Sequence, residues 1–202
     1  MKIGWFRGHQ TPWNRGTIGL RKEDDMINEV SYLAIEKLRE LGYEVIDCTP
    51  TKEDFKSIHS TSDSLRMRCE KANSAKVDIV ISMHFNYYNG KAHGCEVFYV
   101  SNNGKKIAKP IQDELIKLGF YNRGIKIHKK LYVLNHTNAP AILIEGCFCD
   151  SEKDMAIFDA EKMSNAIVKG ITGKEVNAEE NKMDIEALKK FAESIGYKLV
   201  KK

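Results

Sequence analysis

Ala141-Ile142-Leu143-Ile144-Glu145 is a short apolar run closed by a carboxylate. Four apolar residues in succession read as a buried strand, and a lone ionised group at its end is costly to bury. Such a carboxylate needs a positive partner, a metal or a reaction. Two other runs end in a similar way. Ile3-Gly4-Trp5-Phe6 leads to His9, and Val80-Ile81-Ser82-Met83 leads directly to His84. In open α/β sheets, sites collect at the carboxyl ends of the strands, so these three runs point to one place.

The rest of the chain alternates in the manner of an α/β fold. Residues 2–6 read as a first strand and residues 8–22, with Gly, Pro, Asn and Thr, as a long loop. A helix is expected from Asp24 or Asp25 to about Leu41, because Ile27, Val30, Leu33, Ala34, Leu38 and Leu41 recur at helical spacing before Gly42. A short strand over 43–47, a polar loop over 49–62, a helix over 62–75 and a strand over 77–84 follow. Then come a turn, a strand over 94–100 and an amphipathic helix over 104–118. Residues 123–134 are irregular with short strand character. The strand 141–145 and a closing helix over 151–170 complete the unit. The expected architecture is a mixed, mostly parallel central sheet flanked by helices, with a metal site at the carboxyl ends of the strands. Residues 1–175 form the catalytic domain on this reading. Residues 176–202 form a polar linker and one amphipathic helix over 183–194, which is marginal alone.

The bulk properties narrow the class. A hydrophobic share of 42% and a charged share of 30% fit a soluble globular domain. The net charge of +4 is spread over scattered Lys and Arg. No basic stretch is interleaved with aromatics, so a nucleic-acid partner is not expected. No run is long and apolar enough for membrane insertion, and the N-terminus lacks the pattern of a signal peptide. The expectation is synthesis in the cytoplasm. Five cysteines without framework spacing suit reduced thiols.

A catalytic zinc takes three protein ligands and keeps one position for water. His9 and His84 supply two, and Glu29, one turn into the first helix, is the expected third. Glu145 then stands unligated beside the site as the general base and acid of amide hydrolysis. Each residue also has a plain structural reading. A strand-end histidine can be a satisfied structural group, Glu29 a carboxylate favoured by the helix dipole, and Glu145 half of an ion pair with Arg68 or Arg123.

The residues also carry a resemblance. Gly8-His9, Asn28-Glu29, and residues 68–73 (RCEKAN), 78–86 (DIVISMHFN), 94–99 (GCEVFY) and 140–148 (PAILIEGCF) run in the order found in the zinc-dependent N-acetylmuramoyl-L-alanine amidases of type 3. This is a group of autolysins and phage endolysins. The resemblance covers about residues 1–172. It implies one zinc ion held by His9, Glu29 and His84, with Glu145 catalytic. Its substrate would be the amide bond between N-acetylmuramic acid and L-alanine in bacterial peptidoglycan. Asn86 is matched to a supporting or substrate-contacting role. The opening departs from the family's Gly-His-Gly, with Gln10-Thr11-Pro12-Trp13-Asn14 after His9. Trp13 is therefore a candidate substrate contact or a local packing residue. Cys147 and Cys149 are read as small packing residues. The missing signal pattern favours an endolysin, released to the wall by lysis or by a holin. Two alternatives stand beside this reading: a related zinc peptidase acting on stem peptides, and an inactive wall-binding module. The oligomeric state is not legible.

Overall fold

The computed structural model describes residues 1–175. The linker and helix expected over 176–202 lie outside the described residues. Six strands form one sheet: β1 (Lys2–Arg7), β2 (Glu44–Asp47), β3 (Ile79–Asn86), β4 (Cys95–Tyr99), β5 (Asn122–Ile127) and β6 (Ala141–Phe148). Their spatial order is β2-β1-β3-β6-β4-β5. Every adjacent pair is parallel except β4 with β6. The mixed, mostly parallel sheet expected from the sequence is therefore present. The central strands β1, β3 and β6 are the most apolar, because helices cover both of their faces.

Six helices flank the sheet: α1 (Glu23–Glu40), α2 (Thr61–Ser74), α3 (Asn102–Lys117), α4 (Tyr132–Asn135), α5 (Glu152–Ile157) and α6 (Ala160–Thr172). Met26, Ile27 and Val30 of α1, Ala108, Ile111 and Leu115 of α3, and Met163 and Ile167 of α6 pack on one face against Trp5, Ile81 and Ile144. Cys69 and Ala72 of α2 and Val133 and Leu134 of α4 cover Phe6, Val80 and Leu143 on the other. Lys37 is buried between α1 and α6, where its ammonium donates to Glu161 Oε1 and Ser164 Oγ, both at 2.7 Å.

Side-chain caps set several helix starts. Ser60, Ser101, Ser151 and Asp159 each accept a backbone N–H from the first turn of α2, α3, α5 and α6. The Asp159 cap explains why the single helix expected over 151–170 is two: Phe158 and Asp159 are extended, and α6 starts afresh. The irregular stretch after Asn122 contains the edge strand β5, whose weak apolar content follows from its having one neighbour only.

Candidate metal centre

The C-terminal ends of β1 and β3 and the start of α1 meet at one point. His84 lies in β3 beside Met83, whose carbonyl accepts the Gly8 N–H at 3.0 Å. Gly8 follows β1 directly against the His84 ring. A Cβ built there would lie 2.3 Å from His84 Cε1, so only glycine fits. The chain then turns sharply, with His9 and Gln10 both left-handed at φ 58° and 66°. Arg68, buried on α2, holds this turn by donating to the carbonyls of Arg7 and His9. Its guanidinium has little water to fall back on, and burial lowers its pKa to about 10.

The third member is Glu23, the first residue of α1. Glu23 Oε1 lies 3.0 Å from His9 Nε2 and 3.4 Å from His84 Nδ1. The two imidazole rings meet edge to face with centroids 4.8 Å apart. The carboxylate is held by its surroundings. Thr17 donates its N–H and hydroxyl to Oε2 at 3.0 and 3.2 Å, and the Phe85 N–H reaches Oε1 at 3.2 Å. Asn14 Oδ1, 2.9 Å from His9 Nδ1, accepts from that nitrogen and turns Nε2 towards Glu23.

The structure brings Glu23, not the expected Glu29, beside the two histidines. Glu29 is on the same helix but six residues further, about 240° around the axis and about 9 Å along it. It is part exposed and pairs with Arg21 at 2.5 Å. His9, Glu23 and His84 are the group of His, Cys, Asp and Glu among the described residues that could hold a metal ion, with donor atoms within 4.8 Å of one another. A helix starting at Asp24 or Asp25 places Glu23 in the loop, whereas α1 begins at Glu23 itself.

The donor set suits zinc. Bonds of about 2.0–2.2 Å place neighbouring tetrahedral donors about 3.3–3.6 Å apart; Glu23 lies 3.0 and 3.4 Å from the two histidine nitrogens, and all three donors fall within 4.8 Å. With His9 Nδ1 given to Asn14, a neutral His9 turns a lone pair at a carboxylate oxygen, an arrangement that a cation between them resolves. The electrostatics show the same demand. Burial pushes the Glu23 carboxyl up, yet His84 and His9 hold it well below the usual range. His9 is raised, because Glu23 outweighs the effect of burial. Burial wins at His84, which is lowered.

Glu145 stands beside this group. It is the register partner of His84 across β3 and β6. Its Oε2 is buried with no hydrogen-bond partner. Burial raises its carboxyl well above the usual value, and the charges of Glu23 and Glu96 add to that. Neither Arg68 nor Arg123 pairs with it; both have other partners.

Glu96, not singled out from the sequence, lies directly across from Glu145 on β4. It accepts from Asn86 Nδ2 at 2.9 Å, from Arg123 Nε at 3.1 Å and from Lys126 Nζ. Asn86 is thus placed near the site as a partner of Glu96. Trp13, 39% exposed, packs edge to face on Phe55 and His59, each with centroids 6.1 Å away. All five cysteines are free and buried. Burial raises the thiols of Cys147 and Cys149, which suits packing.

Comparison with known proteins agrees with this architecture. A family profile described as N-acetylmuramoyl-L-alanine amidase matches residues 7–174. An uncharacterized 38.4 kDa protein of Clostridium perfringens is 33% identical over 188 residues, covering 89% of this chain and 53% of that protein. The endolysin of Bacillus phage SPP1 is 31% identical over 112 residues, covering 51% of this chain and 41% of that protein. Among solved structures, the catalytic domain of the CD27L endolysin targeting Clostridia difficile superposes with a TM-score of 0.79 at 30% identity, covering 88% of this chain and 99% of that one. The chain spans about half the length of the Clostridium perfringens relatives it matches. On the extent of the matched region, this chain belongs to the N-acetylmuramoyl-L-alanine amidase family.

Proposed function

We propose that this domain is a zinc-dependent N-acetylmuramoyl-L-alanine amidase that hydrolyses the bond between N-acetylmuramic acid and L-alanine in bacterial peptidoglycan. The observation that carries the reading is the group His9, Glu23 and His84 with Glu145, whose buried Oε2 has no hydrogen-bond partner, beside it. Family membership supplies the substrate class.

His9, Glu23 and His84 would hold one zinc ion. Bound there, zinc supplies Lewis acidity that polarises a carbonyl and acidifies water. Thr17, Asn14 and the Phe85 N–H keep the donor atoms aimed before substrate arrives. Glu145 handles the proton. Its raised pKa suits a group that takes a proton from the attacking water and returns it to the departing L-alanine amine. The products are the free lactyl carboxyl of the muramic acid and a stem peptide beginning at L-alanine. Asn86 supports the site through Glu96, and Trp13 has a local packing role in the loop after His9. The place of action is the wall, reached by lysis or holin release if the chain serves as an endolysin. No described helix is long and apolar enough to cross a membrane.

The test is metal analysis of purified protein together with release of new amines from N-acetylmuramoyl-L-alanyl peptides. One zinc per chain and amine release that stops on chelation and returns with zinc support the reading. Undiminished release from metal-free protein refutes it.

A further inference from the structure

A row of charged side chains crosses the sheet away from the metal centre. His84 is in register with Glu145, and Glu145 with Glu96. On the far side of Glu96, the pairing of β4 with β5 runs from Cys95–Asn122 to Val97–Ile125 across an irregularity, which leaves Arg123 and Gly124 facing Glu96. The row therefore ends on an edge strand, two strand spacings or about 10 Å beyond Glu145.

The charge at that end is unbalanced. Arg123 and Lys126 both turn to the single carboxylate of Glu96. The Glu96 side chain is 6% exposed, whereas those of Arg123 and Lys126 are 30% and 44% exposed. Arg123 uses its Nε for Glu96 and lays its guanidinium over the Phe148 ring at 4.9 Å. Its two terminal Nη groups have no hydrogen-bond partner among the described residues. Glu96 and Phe148 thus fix a planar cation on the edge strand with its paired Nη donors unused among the described residues, the form that grips a carboxylate at two points. Lys126 adds a second positive charge beside it.

We propose that Arg123 and Lys126 form a subsite for a free carboxylate on the peptide side of the substrate. Glu96 is the positioning residue that holds the two cations. The inference rests on the amidase reading and adds a specificity determinant to it. An extended peptide spans about 3.3–3.6 Å per residue, so a carboxylate within two or three residues of the scissile amide reaches the subsite. Stem peptides whose carboxyls are free are favoured over those carrying carboxamides.

The experiment uses two probes, N-acetylmuramoyl-L-Ala-γ-D-Glu-L-Lys with its peptide carboxyls free or all converted to carboxamides. Their Kd values are measured by calorimetry on zinc-loaded Glu145→Gln protein, alone and combined with Arg123→Gln, Lys126→Gln or both. The free acid should bind about tenfold or more tighter than the carboxamide. Each substitution should reduce that ratio, and the pair should bring it to about one, with the carboxamide Kd unchanged. Arg123→Lys should keep part of the preference. Equal Kd values for both probes, no binding of either, or equal weakening of both by the substitutions would overturn the proposal. The last pattern would mean that the two cations serve only to neutralise Glu96. The amidase reading is scored separately, by whether unsubstituted protein releases a peptide beginning at L-alanine.

Discussion

Glu23 Oε1 lies 3.0 Å from His9 Nε2, although the two residues are separated by a loop of thirteen residues with little regular structure. The loop is held at both ends. Asn14 fixes the ring of His9, and Thr17 fixes the carboxylate of Glu23. The site is thus assembled by a loop clamped onto the helix that follows it.

Glu23, not Glu29, should be required for metal. Glu23→Ala is expected to lose bound zinc and amidase activity together. Glu29→Ala loses only a part-exposed pair with Arg21, a contribution of about 0–1 kcal/mol, and should keep zinc at one per chain. Metal analysis of the two variants side by side decides the matter; zinc retained in Glu23→Ala would remove Glu23 from the ligand set.

Asn14 acts through His9. Asn14→Ala frees Nδ1 and lets the ring rotate, so zinc affinity should fall about 10–100-fold with the fold intact. Competition with a chelator of known affinity measures the loss. An unchanged affinity would mean that the loop orients His9 without Asn14.

Gly8 should tolerate no side chain. Gly8→Ala drives a Cβ into the His84 ring, since 2.3 Å is far inside contact distance. A cost of about 1–3 kcal/mol is expected, together with loss of zinc as His84 moves. Thermal melting with and without zinc checks both effects. A variant that binds zinc normally would show that the ring has room to shift.

Much of this was legible in the strand ends. His84 and Glu145 follow apolar runs that read as buried strands, and the parallel register puts them side by side. His9 was legible for the same reason at the end of β1. Glu23 was not, because α1 begins with three consecutive acids and has no side-chain cap to mark its start. Spacing alone could not say which carboxylate faces the histidines, and Asn28-Glu29 resembled a familiar pair. Asn28 instead accepts from Arg7 and donates to Gln10. Glu96 was hidden because its importance comes from a cross-strand neighbour, Glu145, which is forty-nine positions away in the sequence.

In metal-free protein, Glu145 should contribute a loss of stability as pH rises. Burial and the charges of Glu23 and Glu96 raise its carboxyl in the folded state. Between the unfolded value of about 4.3 and the raised folded value, Glu145 holds more proton in the folded than in the unfolded state, so its contribution to stability falls as pH increases through that window. Glu145→Gln removes this penalty. Its metal-free form should melt a few degrees higher than the unsubstituted protein at pH 7, where about 1 kcal/mol corresponds to about 2–4 °C for a chain of this size. The gap should close towards pH 4. A gap independent of pH would show that folding does not raise the Glu145 carboxyl.

Glu145→Gln should nevertheless be inactive. Removing a positioned acid and base costs about 10²–10⁴ in rate, while zinc should remain bound because Glu145 is not among the three donors. Steady-state rates with metal analysis on the same sample make the comparison; full activity would refute the role assigned to Glu145.

The most direct measurement is mass spectrometry of products released from purified peptidoglycan, with and without chelator. Stem peptides beginning at L-alanine, absent on chelation and restored by zinc, are expected. Fragments cut between two amino acids of the stem, or the same products from chelated protein, would contradict a zinc amidase.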